Sequence, residues 1–172
     1  MINLQLFAEA VQGKKIIYLF RVLSKAATKT AAAMAFVTEN ERTKSKDADS
    51  TATKDGAIRT PGATETEITA TAIMAAGDTM AEELEEAMDN DELIEIWEVN
   101  LAEKGTGDNK FKGTYYQGYL TEFSLSSSAE EHAEYSTTFA VNGKGAKGEC
   151  TVSAEQQEIA QYVFKDTEAT GA

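Results

Sequence analysis

Two segments in the second half of the sequence alternate between apolar and polar residues. A period of two places successive side chains on opposite faces of a strand. The sequence therefore predicts two long β-strands, each with one face on a core and the other in solvent or at an interface. The odd positions assigned to one face are Phe111, Gly113, Tyr115, Gln117, Tyr119, Thr121, Phe123 and Leu125, then Ala133, Tyr135, Thr137, Phe139 and Val141.

The remaining elements are predicted from shorter patterns. Strands are expected at residues 14–23, 34–38, 66–74, 93–101, 147–152 and 162–164, with a glycine hairpin turn at 142–145 and a helical turn at 153–160. An amphipathic helix is expected from Met80 to Met88, capped by Asp78 or Thr79. These elements predict a mainly β fold: an antiparallel two-sheet sandwich or partly closed barrel flanked by one α-helix.

One domain spanning residues 1–172 accounts for a chain of this length. Within it we expect a flexible N-terminus at about 1–13 and a frayed C-terminus at about 167–172. The N-terminus lacks the pattern of a signal peptide, and no apolar run approaches the roughly 20 residues that a membrane helix needs.

The segment 39–56 is unusually charged. Nine of its eighteen residues carry a charge, and its only apolar side chains are Ala48 and Ala52. Such a segment buries too little surface to offset the entropy of ordering, so we expect a long mobile loop that orders against a neighbouring copy. The candidate oligomerisation residues in it are Arg42, Lys44, Lys46, Asp47, Asp49, Lys54 and Asp55.

The net charge of -13 is concentrated in one part of the chain. No Lys or Arg lies between Thr60 and Lys104, where thirteen of the twenty-nine carboxylates occur. The other sixteen carboxylates are balanced by the sixteen basic residues. Proteins that grip nucleic acid by its phosphates need the opposite sign, so tight DNA binding is disfavoured.

No catalytic, cofactor-binding or metal-binding site is predicted. Gly143-x-Gly145-x-x-Gly148 matches a dinucleotide fingerprint as a string, but no helix is expected after the glycines. The segment beginning at Asp47 lacks the glycine and glutamate of a calcium loop. His132 is the sole histidine and Cys150 the sole cysteine, each without partners for catalysis. An enzyme is therefore the least favoured function class.

Several stretches resemble the major tail protein (tail tube) family of bacteriophages with long, non-contractile tails. The shared order is a first strand KKIIYLFRVL, a charged loop, TKDG, the strand TEITATAIM, an acidic helix and the strand LIEIWEVNL. The later stretch GTYYQGYLTEFSLSSSAEEHAEYSTTFAVNGKG is similar to the paired strands and glycine turn of such subunits. The resemblance covers roughly residues 14–165.

This resemblance implies a virion structural protein, made in the host bacterial cytoplasm, that is not an enzyme and has no cofactor. It implies hexameric rings stacked into a tube through which the genome passes without specific binding, with no membrane involved. Partners would be further copies of the chain, the tape-measure protein and tail-end proteins. The central carboxylates are candidates for a DNA-repelling lumen wall. The alternative from the residues alone is a monomeric β-sandwich binding or adhesion module.

Overall fold

The computed structural model describes residues 9–161 of the chain. Its elements are β1 (Ile16–Val22), β2 (Val37–Thr53), β3 (Gly56–Ile73), α1 (Thr79–Asp89), β4 (Ile94–Lys104), β5 (Lys110–Ser126), β6 (Glu134–Thr151) and α2 (Ala154–Gln161), with single 3-10 turns at Gly13–Lys15 and Leu23–Lys25. Among these residues no helix is long and apolar enough to cross a membrane.

All six strands form one antiparallel sheet in the order β1-β4-β5-β6-β3-β2. The sheet curls strongly, because Phe20 on β1 stacks against Phe139 on β6 at 5.2 Å between ring centroids although two strands lie between them. The two halves of the sheet therefore pack on each other like the layers of a sandwich. The predicted mainly β fold is confirmed, as an open curled sheet and not a closed barrel.

The concave side of this sheet holds the main core. Its large members include Phe20, Ile68, Ile96, Tyr135 and Phe139, all fully buried. Helix α1 lies over this side and contributes Ala81, Leu84 and Ala87. Burying these side chains is the main term that stabilises the domain.

Helix α1 begins where the sequence predicts. The Asp78 carboxylate accepts hydrogen bonds from the backbone N–H of Met80 and Ala81, at 3.0 and 3.3 Å. The hydroxyl of Tyr135 donates to the same carboxylate at 3.2 Å, which ties the cap to β6. One aspartate thus satisfies the open helix end and fixes it against the core.

A smaller cluster lies on the convex side of β1, β4 and β5. It contains Leu19, Val99, Leu101, Phe111 and Val152. Helix α2 begins beside it with the predicted capping box, in which Ser153 and Gln156 exchange hydrogen bonds of 3.1 and 3.3 Å. The strand predicted at 162–164 and the frayed segment 167–172 lie outside the described residues, as does most of the N-terminal segment 1–13.

The prediction of a structureless loop at 39–56 is wrong. Strand β2 continues for 17 residues, turns at Lys54 and Asp55, and pairs with β3 down to Thr53 opposite Gly56. Antiparallel pairing satisfies the backbone N–H and C=O groups without any apolar side chain, which is why low hydrophobicity did not prevent a strand.

The predicted hairpin turn at 142–145 is also wrong. Strand β6 runs unbroken from Glu134 to Thr151. Gly143 and Gly145 have φ of 69° and 76°, and they lie in a bulge where β6 has more residues than the facing stretch of β5. Glycine supplies positive φ in a bulge as readily as in a turn, so the motif did not distinguish the two.

The assignment of all odd positions of β5 to one core face needs a correction. Tyr116 and Leu120 face the main core, whereas Tyr119 is 44% exposed on the other side. A register shift between Leu120 and Glu122 then returns Phe123 to the core side. The bulge moves the pattern by one residue, which reverses the faces of the strand.

Candidate assembly surfaces

The outer half of the β2–β3 hairpin projects from the body. Strand β3 pairs with β6 only from Thr66 onward, so residues 46–64 pair only with each other. Nearly every side chain there is exposed, including Ile58 at 60%. Five of the seven predicted oligomerisation residues lie in it, from Lys46 to Asp55, and Lys44 lies at its base. A two-stranded ribbon without a packed face has little stability of its own.

Arg42, the seventh of these residues, has a different role. Its guanidinium Nε donates to Glu98 on β4 at 2.6 Å, and its Nη2 donates to the other carboxylate oxygen at 3.3 Å. The buried hydroxyl of Tyr18 on β1 also donates to Glu98, at 2.6 Å. These bonds connect the edge strand β2 to the opposite half of the curled sheet, so the hairpin is anchored at its base.

The same contacts perturb two ionisation equilibria. Burial is the largest cause that raises the pKa of the Tyr18 phenol, and the Glu98 carboxylate adds to it. The hydrogen bond from Arg42 to Glu98 raises the pKa of the guanidinium. Sequence reasoning missed Tyr18 and Glu98, because the sheet brings together residues that are eighty positions apart.

The convex side of β2, β3, β6 and β5 is mainly polar, with Tyr119 as an exposed aromatic residue, and we call it the acidic face. Neighbouring rows are set by the strand register, for example Glu41–Thr69–Thr138–Glu122. No side chain of these rows is buried, and none is Lys or Arg. The carboxylates on it are Glu39, Glu41, Glu65, Glu67, Glu122 and Glu134. Hydroxyl groups fill the spaces between them, as where Thr71 and Ser136 lie 3.1 Å apart.

The carboxylates of the central segment therefore separate into groups. Glu65 and Glu67 lie on the acidic face, whereas α1 and its acids pack over the opposite, concave side. Glu95 is buried and bonded to Arg21 at 2.6 Å. Glu83 pairs with Lys29 and with Lys25, and the hydrogen bond from Lys29 is the largest cause that lowers the pKa of its carboxyl. The acidic residues of this one sequence segment therefore lie in several different structural environments.

Within residues 9–161, no three His, Cys, Asp or Glu side chains are grouped so as to hold a metal ion. Burial raises the pKa of the Cys150 thiol, which makes it a poor nucleophile at neutral pH. His132 is exposed in the connection before β6. The described residues thus present exposed surfaces and a free strand edge.

Comparison with known sequences identifies the protein family to which the chain belongs. The model of the phage tail tube protein family matches residues 10–147. The chain belongs to this family. A tail protein of Staphylococcus phage phiMR25 is 36% identical over 142 residues, which cover 80% of this chain and 74% of that protein.

Solved structures share the fold. The tail tube of SPP1 superposes with a TM-score of 0.73 at 21% identity, covering 95% of both chains. The tail of an empty gene transfer agent particle gives 0.58 at 14% identity, covering 80% of this chain and 98% of that one. The sheath-tube complex of an extracellular contractile injection system gives 0.52 at 15%, covering 85% and 95%.

This phage tail tube protein is thus a structural component of the virion tail that assembles with its own copies into a tube. Its family is one of structural, non-enzymatic proteins. Family membership replaces the alternative of a monomeric adhesion module. The residues Arg42, Lys44, Lys46, Asp47, Asp49, Lys54 and Asp55 remain predicted contacts between copies.

Proposed function

We propose that copies of this chain join edge to edge into a ring whose channel is lined by the acidic face. The observation that carries the proposal is the absence of Lys and Arg from every row of that face, alongside six carboxylates. A wall of like charge repels the phosphates of DNA, so a genome slides past it without specific binding. The hydroxyl groups between the carboxylates keep the wall hydrated.

The strand edges support a closed ring. Strand β2 has a free edge, and so does β5 beyond Gly118, where its pairing with β4 ends. The acidic face has four antiparallel strands, so β2 of one copy meets β5 of the next in antiparallel orientation. Such a head-to-tail contact closes when the rotation is right, and it covers the edges that would otherwise promote aggregation.

We propose six copies per ring. The structural relative from the gene transfer agent was resolved with C6 symmetry, and its fold is shared by this chain. Rings would stack through the projecting hairpins. These hairpins carry both acidic and basic residues, and neither of their faces is packed against the rest of the subunit. The tape-measure protein would occupy the channel before ejection, and tail-end proteins would cover the exposed edges of the last rings.

Electron microscopy of the purified protein at high concentration tests the ring directly. We expect tubes with six-fold rings and a central channel. A second measurement tests which face lines the channel: tubes of the wild type should show no measurable affinity for duplex DNA at physiological salt. Changing Glu41, Glu67 and Glu122 together to Lys should create DNA binding inside the channel.

The control places two charge changes of the same kind on α1, as Glu82→Lys and Glu85→Lys. Both residues are exposed on the helix that packs over the opposite side of the sheet. DNA held in the channel by the α1 variant, and not by the sheet variant, would reverse the assignment of the two faces.

The hairpin has its own test. Replacing residues 47–62 by a two-residue turn should leave the melting temperature within a few degrees of the wild type, because those residues pair only with each other. We expect the shortened protein to fold as a monomer and to fail to form long tubes. Tubes of normal length would refute the role assigned to Asp47, Asp49, Lys54 and Asp55.

A further inference from the structure

This inference rests on the edge-to-edge ring proposed above. We propose that Lys44 and Lys46 on β2 of one copy form ion pairs with Asp91 and Glu92 of the next copy, and that these pairs set the register of the joint between the two strands. The partner is therefore a second copy of this chain, and the contact lies on the concave side of the joined sheet.

The acidic half of the contact borders a groove beside the free edge of β5. The groove measures about 380 Å³ and lies between the end of α1 and the start of the free edge. It is lined by Ala87, Met88, Asp91, Glu92, Tyr119, Leu120 and Thr121. A strand added to β5 would pass along this groove, so its side chains would meet Asp91 and Glu92.

The end of α1 needs positive charge. A helix C-terminus carries a partial negative charge, which basic side chains normally complement. The last turn of α1 contains no basic residue and ends in Asp89, which is followed by the C-cap residue Asn90 and then by Asp91. Glu92 accepts a hydrogen bond from the Ser24 hydroxyl at 2.7 Å, and within residues 9–161 neither Asp91 nor Glu92 forms an ion pair. A lysine from outside the subunit would relieve the repulsion between these carboxylates and the partial negative charge at the end of α1.

The basic half of the contact comes from the alternation along β2. Glu39 and Glu41 point to the acidic face, whereas Arg42, Lys44 and Lys46 point to the concave side. Arg42 is engaged by Glu98 in its own subunit. The ammonium of Lys44 donates to the carbonyl oxygen of Lys144 at 3.4 Å, and in the described part of the chain neither Lys44 nor Lys46 forms an ion pair. Two lysines on a free edge are thus available to a neighbour.

Strand register brings the two halves together. Lys44 lies in the row Lys44–Thr66–Val141–Gly118–Ile94 of its own sheet. In an unstaggered ring, the neighbour's β2 follows the free edge of β5 until it reaches this row, where β4 already occupies the position beside Gly118. The neighbour's strand must turn away there, over the residues just before Ile94. Those residues include Asp91 and Glu92.

Charge reversal and its rescue test the contact. We expect Lys44→Glu with Lys46→Glu to lower the yield of sedimentable tubes at least about tenfold, and Asp91→Lys with Glu92→Lys to do the same. The chain that carries all four changes should recover to within about threefold of the wild type, because each pair regains opposite charges. Tube formation by the wild type is the reference. If the wild type formed no tubes, the proposed ring itself would be refuted, and not only this contact.

The control for added positive charge is Glu82→Lys with Glu85→Lys, two exposed changes on α1 away from the groove. It should assemble normally. Thermal melting of each monomer separates misfolding from lost assembly. Should the reversed variants fail to fold, Asp91→Asn with Glu92→Gln retains the shapes, and its assembly should lose the salt dependence of the wild type. Unchanged salt dependence, or no recovery in a folded fourfold variant, would overturn the inference.

Discussion

The body of the sheet and the projecting half of the β2–β3 hairpin share a backbone conformation but are stabilised by different interactions. In the body, aromatic and aliphatic side chains such as Phe20, Phe139 and Tyr135 are fully buried. In residues 46–64 the strands are held by backbone hydrogen bonds to each other. We therefore expect the body to be stable as a monomer, whereas the hairpin has exposed surface that other copies could cover.

The junction between these regions is a compact polar cluster. Arg42 from β2 and Tyr18 from β1 both donate to the Glu98 carboxylate on β4. These hydrogen bonds fix the position at which the hairpin leaves the body. They have little influence on the contacts that the outer residues of the hairpin make. Substitutions in the core, at the junction and in the hairpin should therefore differ in the measurement that they affect.

The largest loss of stability is expected for Phe139→Ala. Phe139 is fully buried and stacks on Phe20 across the curled sheet. Removing the ring should lower the free energy of unfolding by roughly 3–5 kcal/mol, measured by urea denaturation. A change below about 0.5 kcal/mol would show that the two halves of the sheet are not packed as described.

A second large effect is expected at the bulge of β6. A Cβ at Gly145 would lie 2.4 Å from the Tyr116 ring, and φ of 76° disfavours any other residue there. Gly145→Ala should cost roughly 2–4 kcal/mol by the same measurement. The matched variant is Gly143→Ala, which has a similar φ of 69° but no atom within 4 Å of the new Cβ. It should cost only about 1–2 kcal/mol, and equal losses would exclude the contact with Tyr116.

The junction should give an intermediate effect. Tyr18→Phe removes a 2.6 Å hydrogen bond to a carboxylate while keeping the ring, so we expect a loss of about 1.5–3 kcal/mol. Because the anchor of the hairpin is weakened, tube assembly should also fall. A loss of stability with unchanged assembly would separate the anchor from the function of the hairpin.

Alkaline pH tests the same cluster in the unmodified protein. Folding raises the pKa of Tyr18 above its ordinary value of 10.0, so the neutral phenol is favoured in the folded state. The contribution of the neutral Tyr18 phenol to the free energy of unfolding is fully present below about pH 10, and it is lost as the pH rises from there toward the folded-state pKa. The free energy of unfolding should fall above pH 10, and it should fall less steeply in Tyr18→Phe.

The smallest effect on stability is expected in the hairpin itself. Ile58 is 60% exposed, and Ile58→Thr keeps a β-branched residue suited to a strand. The free energy of unfolding of the monomer should change by less than about 0.5 kcal/mol. Tube yield should nevertheless fall, since an exposed apolar side chain on this ribbon gains burial only from another copy. An unstable monomer would contradict the independence of the two regions.

Local patterns predicted part of this architecture. The strand around Phe139, the cap at Asp78 and the capping box of Ser153 and Gln156 all depend on neighbours within a few residues, so the sequence was sufficient for them. The long hairpin was missed because a strand that pairs only with another polar strand has no hydrophobic signature. Five of the seven candidate contacts lie in the projecting residues 46–64, whereas Arg42 and Lys44 lie at the base of the hairpin, and the bond of Arg42 to Glu98 was not predicted.

The sequence by itself determined the class of protein: a mainly β structural subunit, with its excess of acid in one segment. Tertiary structure alone decided which acids share a surface. Glu41 and Glu122 are far apart in the chain yet lie in one row of the acidic face, while Glu95 is buried against Arg21. The physical reason is that strand register and the curl of the sheet are set by packing between segments that are distant in the sequence. The sequence alone therefore does not give the distance between two such residues or the face of the sheet on which each lies.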